Sequence, residues 1–181
     1  MNDNDYNSYD PYYYTRPYPY MSAMSSPTTM NQNQTADIFV YPQNLENALS
    51  IIKEALGGET ADRLFYSWLI EQAPSNEDKE IIVGIRDNEI GHFSLFRQLY
   101  YEITGIPPQQ IKVEQFIPPE SYCAGLAKAL LGEQNAVQKY RKILYAMQNR
   151  VHINMMTEII TDELRHGILY NYLYAKNSCE D

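Results

Sequence analysis

The chain has 181 residues, 44% of them hydrophobic, and a formal net charge of −9. That length suits one domain of ordinary size with a sizeable core, and the acidic balance argues against nucleic acid or an anionic membrane surface as a partner. Only two cysteines occur, Cys123 and Cys179, too few for a four-thiolate zinc, rubredoxin or iron–sulfur site and for a disulfide framework, which leans towards a reducing, intracellular (cytoplasmic) setting. The polar start from Met1 to Asp10 lacks the apolar core of a secretory signal, and no apolar run approaches the roughly 20 residues that span a bilayer.

In chain order, residues 1–41 come first. Tyr, Asn, Pro, Ser, Thr and Met dominate them, and seven of the 17 tyrosines lie in the first 20 residues. Pro11, Pro17, Pro19 and Pro27 forbid a continuous helix, and aliphatic side chains are too few to offset the entropy of ordering, so the segment reads as a disordered tail. Residues 42–177 then read as a single all-α domain. Leu45, Leu49, Ile52 and Leu56 fall at helical spacing, and the pattern runs through Leu64 and Trp68 until Pro74 breaks it. Gly57-Gly58 inside this run costs roughly 1 kcal/mol per glycine, which close packing is expected to compensate. Ser75 or Asn76 caps a second helix that carries Ile82, Ile85, Phe93, Phe96 and Leu99 to a C-cap at Gly105. An irregular connector from Ile106 to Pro119 follows. Ser121 caps a third helix through Leu126, Leu130, Ile143 and Met147, and a break near Asn149 leads to a fourth, Ile153 to about Lys176. Short links join the first helix to the second and the third to the fourth, so two antiparallel hairpins joined by one long crossover are expected.

The two hairpins repeat each other at an offset of 74 residues. Ala55-Leu56-Gly57-Gly58-Glu59 falls on Ala129-Leu130-Leu131-Gly132-Glu133, Tyr66 on Tyr140, Glu89 on Glu163, and His92 on His166. Glu89-Ile90-Gly91-His92 and Glu163-Leu164-Arg165-His166 are both Glu-x-x-His, a spacing that projects both side chains from one helix face, one turn apart. Glu59 and Glu133 add one glutamate from each remaining helix. Four ionised carboxylates inside a bundle are strongly destabilising without counter-charge, and two divalent cations supply it. His152 has Asn149 three residues before it and no repeat partner, so it reads as structural or exposed.

As a set, these six residues resemble the ligand scheme of the ferritin-like di-iron carboxylate superfamily, one Glu from each of two helices and Glu-x-x-His from each of the other two. With the stretches Asp87-Asn88-Glu89-Ile90-Gly91-His92 and Asp162-Glu163-Leu164-Arg165-His166, the chain looks most like the rubrerythrin-like branch. The resemblance covers about Gln43 to Lys176. It implies a ferritin-like four-helix bundle holding two Fe ions, or Mn. Glu59 and His92 would bind one metal, Glu133 and His166 the other, and Glu89 and Glu163 would bridge. It also implies that Tyr66 and Tyr140 hydrogen-bond to ligand carboxylates. Two departures stand out. The rubredoxin module with its Cys-x-x-Cys knuckles is missing, so electrons would come from an external donor or from ferrous iron. The second glutamate expected three residues after Glu133 is Ala136, while Asp62, three after Glu59, offers a carboxylate on the first helix.

Imidazole and carboxylate donors suit Fe(II) or Mn(II), and the absence of His-Glu-x-x-His removes the common zinc-protease reading. The leading expectation is an oxidoreductase that reduces hydrogen peroxide or O2 with oxidation of Fe(II), built as a homodimer. Two alternatives stay open. One is an iron-storage ferritin-like protein. The other is a structural, spore-coat-type assembly protein that uses the tyrosine-rich tail, which would make it spore-associated.

Overall fold

The computed structural model describes residues 39, 41, 43–109 and 116–179. The expected tail lies outside them apart from Phe39 and Tyr41, as does the middle of the connector. Four helices make up the described fold: α1 (Leu45–Gln72), α2 (Asn76–Thr104), α3 (Tyr122–Tyr145) and α4 (Arg150–Lys176). Their ends follow local chemistry. Ser75 Oγ accepts from the Asp78 amide to start α2, Ser121 Oγ accepts from the Ala124 amide to start α3, and Asn149 Oδ1 accepts from the Val151 amide to start α4. That last cap places the start of α4 three residues before the first aliphatic of its stripe. Gly105 ends α2 at a φ of 70°, where glycine carries no Cβ penalty. Asn44, at the start of α1, makes no cap bond of its own; its side-chain amide donates 2.6 Å to the Lys142 carbonyl near the end of α3.

Within the bundle α1 packs on α2 and α3, and α4 packs on α3 and α2. The helices therefore stand around a square in the order α1, α2, α4, α3, with α2 and α3 on a diagonal. The connector between those two must cross from one end of the bundle to the other, which is the long crossover that the linker lengths predict. No helix among the described residues is long and apolar enough to cross a membrane.

The core divides into two clusters. One contains Ala48, Ile52, Phe96, Leu99, Ile143, Met156 and Ile159; the other contains Leu69, Ile82, Ile85, Leu126, Tyr170 and Leu173. In every helix the acid and histidine positions fall between the residues of the two clusters. Each fully buried aliphatic contributes about 1.5–3 kcal/mol, and these flanking layers offset the cost of holding polar groups between them.

The end of the bundle beyond the second cluster is fastened by polar and covalent ties. Asp78 is fully buried. Burial alone would raise its carboxyl, but hydrogen bonds from Lys176, Ser75 and Asn177 hold it below the ordinary carboxylate range. An acid in the first turn of α2 thus anchors the last turn of α4. Beside it Cys123 and Cys179 are bonded to each other across a Cα–Cα distance of 5.4 Å. This corrects the reading of two cysteines as offering no disulfide, and the cysteine count no longer argues for a reducing compartment. Closing a loop between residues 56 apart constrains the unfolded chain. Reduction, or the pair Cys123→Ser and Cys179→Ser, is expected to lower the unfolding free energy by about 2–4 kcal/mol. Urea titration with and without reductant measures this, and identical midpoints would show that the bond contributes nothing.

Candidate metal centre

Glu89 and His92 lie one turn apart on α2, and Glu163 and His166 occupy the matching turn of α4. With Glu133 of α3 they are all buried, at 8, 3, 2, 0 and 5% exposure respectively. Glu89, Glu133, Glu163 and His166 each offer a ligand atom, and these atoms all lie within 4.8 Å of one another. His92 joins them through Nδ1, 3.5 Å from Glu89 Oε2 and 3.3 Å from Glu163 Oε1. His166 Nδ1 is 2.9 Å from Glu89 Oε1 and 3.9 Å from Glu133 Oε2. The two imidazoles stand 5.8 Å apart, centroid to centroid.

These contacts are charge contacts rather than hydrogen bonds. Glu89 Oε1, Glu163 Oε1, His92 Nδ1 and both His166 nitrogens are buried without an aligned partner. Buried polar atoms are ordinarily hydrogen-bonded, so a cluster of acids and imidazoles with several unpartnered atoms is a place that could hold a positive ion. The donor set is oxygen and imidazole nitrogen, which suits a divalent first-row metal. On chemistry and arrangement, the buried Glu/His group can hold metal.

The electrostatics agree. Burial, contact with Glu163, and the charges of Glu163, Glu89 and Asp62 push the Glu133 carboxyl far up. Burial would lower His92, but the Glu163 and Glu89 carboxylates raise it to about 10. Burial would also raise Glu89, but the two histidines hold it below its ordinary value. Protons therefore sit where cations would otherwise be needed.

The fixing of His92 is visible. Its Nε2 lies 3.1 Å from Asp162 Oδ2, an orientation that turns Nδ1 towards the acids, where a metal would displace its proton. Arg165 holds Asp162 in turn and also donates 2.7 Å to Asn88 Oδ1, tying α4 to α2 at this level. Asn88 is the repeat counterpart of Asp162, and it serves Arg165, not His166. Among the described residues the carboxylates within ion-pair distance of His166 are Glu89 and Glu133 of the group itself.

The structure places Glu59 apart from the other acids. Its carboxylate is ion-paired with Arg97 of α2, on a side chain that is 21% exposed. The offset of 74 explains why only this half is affected, since the counterpart of Arg97 is Asn171, which has no charge to draw Glu133 outwards. The α1 carboxylate whose charge reaches Glu89 and Glu163 is that of Asp62, an exposed residue that lines a cavity between α1 and α3. Desolvation of its carboxyl and then the charges of Glu89 and Glu163 raise it to about 6, with Lys128 pulling the other way. Asp62 stays open on one side to that cavity. An added Cβ at Gly58 would meet only Asp62 Oδ2, at 3.1 Å. Glycine there clears space for the acid instead of drawing another helix close, which revises the expectation at Gly58. Close approach is found at Gly167 instead, where a Cβ would collide with Gln134 beside Glu133.

Tyr66 and Tyr140 line the same cavity. Among the described residues neither hydroxyl is hydrogen-bonded to a carboxylate, and Tyr140 packs edge-on against Phe96 at 5.0 Å. Burial first, then the acids, holds both phenols well above their ordinary value, so they remain neutral donors. Sequence reasoning missed Tyr170, fully buried one turn after His166, with its hydroxyl unpartnered. The signal was its place four residues after a ligand histidine; its repeat counterpart is Phe96. His152 is buried and contacts Glu102 through Nε2 at 2.7 Å, away from the group.

Over 123 residues the chain is 31% identical to a Bacillus subtilis (strain 168) protein named "Uncharacterized protein YhjR", a match that spans 67% of this chain and 82% of that one. No family model matches the chain, and no solved structure does.

Proposed function

We propose that this chain, which belongs to the family of the Bacillus subtilis protein YhjR, is a ferritin-like, rubrerythrin-like oxidoreductase with two Fe or Mn ions that acts on hydrogen peroxide or O2. The observation that carries the reading is the set of four buried ligand atoms within 4.8 Å of one another, several of them with no hydrogen-bond partner. Asp62, Glu89, His92, Glu133, Glu163 and His166 would hold the ions. Two redox-active ions side by side supply the two electrons that O–O bond reduction needs.

The chain's own residues supply the rest. Asp162 fixes the orientation of His92, and Arg165 fixes Asp162. Neutral Tyr66 and Tyr140 face the cavity with hydroxyls able to donate to an anionic oxygen. Gly58 leaves the α1 carboxylate free to move. The cavity brings a small oxidant to the acids without opening the bundle.

Metal analysis of native protein tests the proposal, with two Fe or Mn per chain as the expected result. Asp62→Asn should weaken metal binding at least about tenfold, while Glu59→Gln should leave it nearly unchanged. Purified protein free of transition metal, and not stabilised by Fe(II) or Mn(II), would sink the reading.

A further inference from the structure

The four walls of the bundle differ near the level of the acids. Arg97 of α2, five residues after His92, is ion-paired with Glu59 of α1 and bridges that wall. Between α2 and α4, Arg165 donates 2.7 Å to Asn88, and Asp162 lies 3.1 Å from His92. Between α3 and α4, Gln134 lies so close to Gly167 that an added Cβ would collide with its amide.

The wall between α1 and α3 is built otherwise. Trp68 lies against Gly125, and Lys139 bonds Glu54 at 2.5 Å; these two contacts fix an antiparallel register. Glu54 and Trp68 are fourteen residues apart on α1, roughly 21 Å at 1.5 Å per residue. Between them the register sets Ala61 against Gly132, and Gly58 against Ala136 to within a residue. All four line the cavity, and a Cβ added at Gly132 would meet nothing within 4 Å. Small side chains leave a window here, where the other walls carry bridges.

What lies behind the window suits a cation. Glu54, Asp62, Glu89, Glu133 and Glu163 line the cavity against two lysines. Lys139 is occupied by Glu54, and Lys128 acts on Asp62. Asp62 is exposed, while Glu89 and Glu163 are buried, each with an oxygen that has no hydrogen-bond partner. Depth therefore orders the acids from Asp62 inwards. The cavity measures about 640 Å³, and a divalent ion with about six waters takes up roughly 200 Å³, so it enters with its hydration shell.

We infer that the window between α1 and α3 is the port through which divalent cations load the buried group, with Asp62 as the first protein ligand an incoming ion meets. The inference deepens the proposed function and rests on its metal reading. Gly58 gives the Asp62 carboxylate room to exchange for water at the mouth before the ion reaches Glu89, Glu133 and Glu163.

Stopped-flow mixing of the metal-free, full-length chain with Co(II) tests this. Co(II) binds nitrogen and oxygen sites at least as well as Mn(II) or Fe(II), and its visible absorption reports ligation. Gly132→Leu adds a side chain across the window and removes no contact. It should slow loading at least about tenfold, while metal content at equilibrium stays that of the parent. Ala61→Leu fills the window from α1 and should do the same if the first variant folds poorly. Gly91→Leu adds equal bulk on the outer face of α2, where a Cβ would meet nothing within 4 Å, and should load at the parent's rate. Lys128→Met removes a repelling charge and should load about threefold faster. Parent rates in both window variants, equal slowing in Gly91→Leu, or slower loading in Lys128→Met would overturn the inference. Equilibrium dialysis of the same samples separates the two ideas. Metal bound by every variant at one rate defeats the port alone, and no metal on any of them defeats the dinuclear reading and the port with it.

Discussion

Glu133→Gln should stabilise metal-stripped protein at pH 7 by about 3 kcal/mol, and should abolish the further stabilisation that Fe(II) or Mn(II) gives the parent. The sign follows from linkage. Glu133 is 5% exposed, and its folded-state value is raised above the ordinary 4.5 by burial and by Glu163, Glu89 and Asp62. Between those limits the folded chain binds a proton that the unfolded chain has lost, so stability falls as pH rises above 4.5. At pH 7 the cost is about 2.5 pH units at roughly 1.4 kcal/mol each. Glutamine has the shape of the protonated acid and does not titrate, so the cost disappears. It is also a poor ligand for a divalent ion. The parent should gain about 4 kcal/mol at a thousandfold excess of metal over Kd, and the variant little. Urea titrations at pH 4 and pH 7, with and without Mn(II), check both halves. Parent and variant should converge at pH 4. A variant less stable than its parent at pH 7 without metal would mean that Glu133 makes a structural bond, not a suppressed charge.

Much of the bundle was legible because its signals are local and repeated. The stripe of Leu45, Leu49 and Ile52, the caps at Ser75 and Ser121, the break near Asn149 and the Gly105 stop each act within a turn or two, and each lies where the chain puts a helix boundary or core face. The hairpins followed from linker length. Glu89, His92, Glu163 and His166 were legible for a related reason, since Glu-x-x-His fixes two side chains on one face whatever surrounds them. The offset of 74 then brought Glu133 to the same level.

The same offset was a poor guide wherever the halves differ in a partner from another helix. Glu59 shares its local sequence with Glu133, yet it is ion-paired with Arg97, 38 residues away in the chain, whose repeat counterpart is the uncharged Asn171. Asp162 supports His92, but its counterpart Asn88 does not support His166. Tyr170 brings a hydroxyl to a place where its counterpart Phe96 brings none. The disulfide was illegible for the same reason, because pairing Cys123 with Cys179 depends on where α4 ends relative to the start of α3. Local pattern thus set the symmetric frame, and tertiary partners decided which side of it each functional group serves. That asymmetry has a chemical consequence. One half offers a histidine held by a carboxylate and an aspartate open to the cavity. The other offers a freer histidine and a deeply buried glutamate, so two bound ions would differ in exposure and in charge.

Metal binding near neutral pH should accordingly release about two protons per chain, and overall affinity should rise about a hundredfold per pH unit between pH 7 and 9. His92 is raised to about 10 between Glu163 and Glu89, and Glu133 is raised by burial and its neighbours, so both carry protons that metal must displace. Asp62, raised to about 6, is mostly ionised at pH 7 and adds a third proton only below that value. For the metal-free chain the linkage runs the other way. The stabilising contribution of protonated His92 is complete below the ordinary 6.5 and is lost as pH rises through about 10. Alkaline conditions should therefore loosen the empty bundle while tightening its hold on metal, so the gap between loaded and stripped midpoints widens with pH. Calorimetric titration with Mn(II) in two buffers of different ionisation enthalpy gives the proton count directly. Equal heats in both buffers at pH 7 would mean that no proton leaves, and that the acids and histidines meet the metal already ionised as ligands.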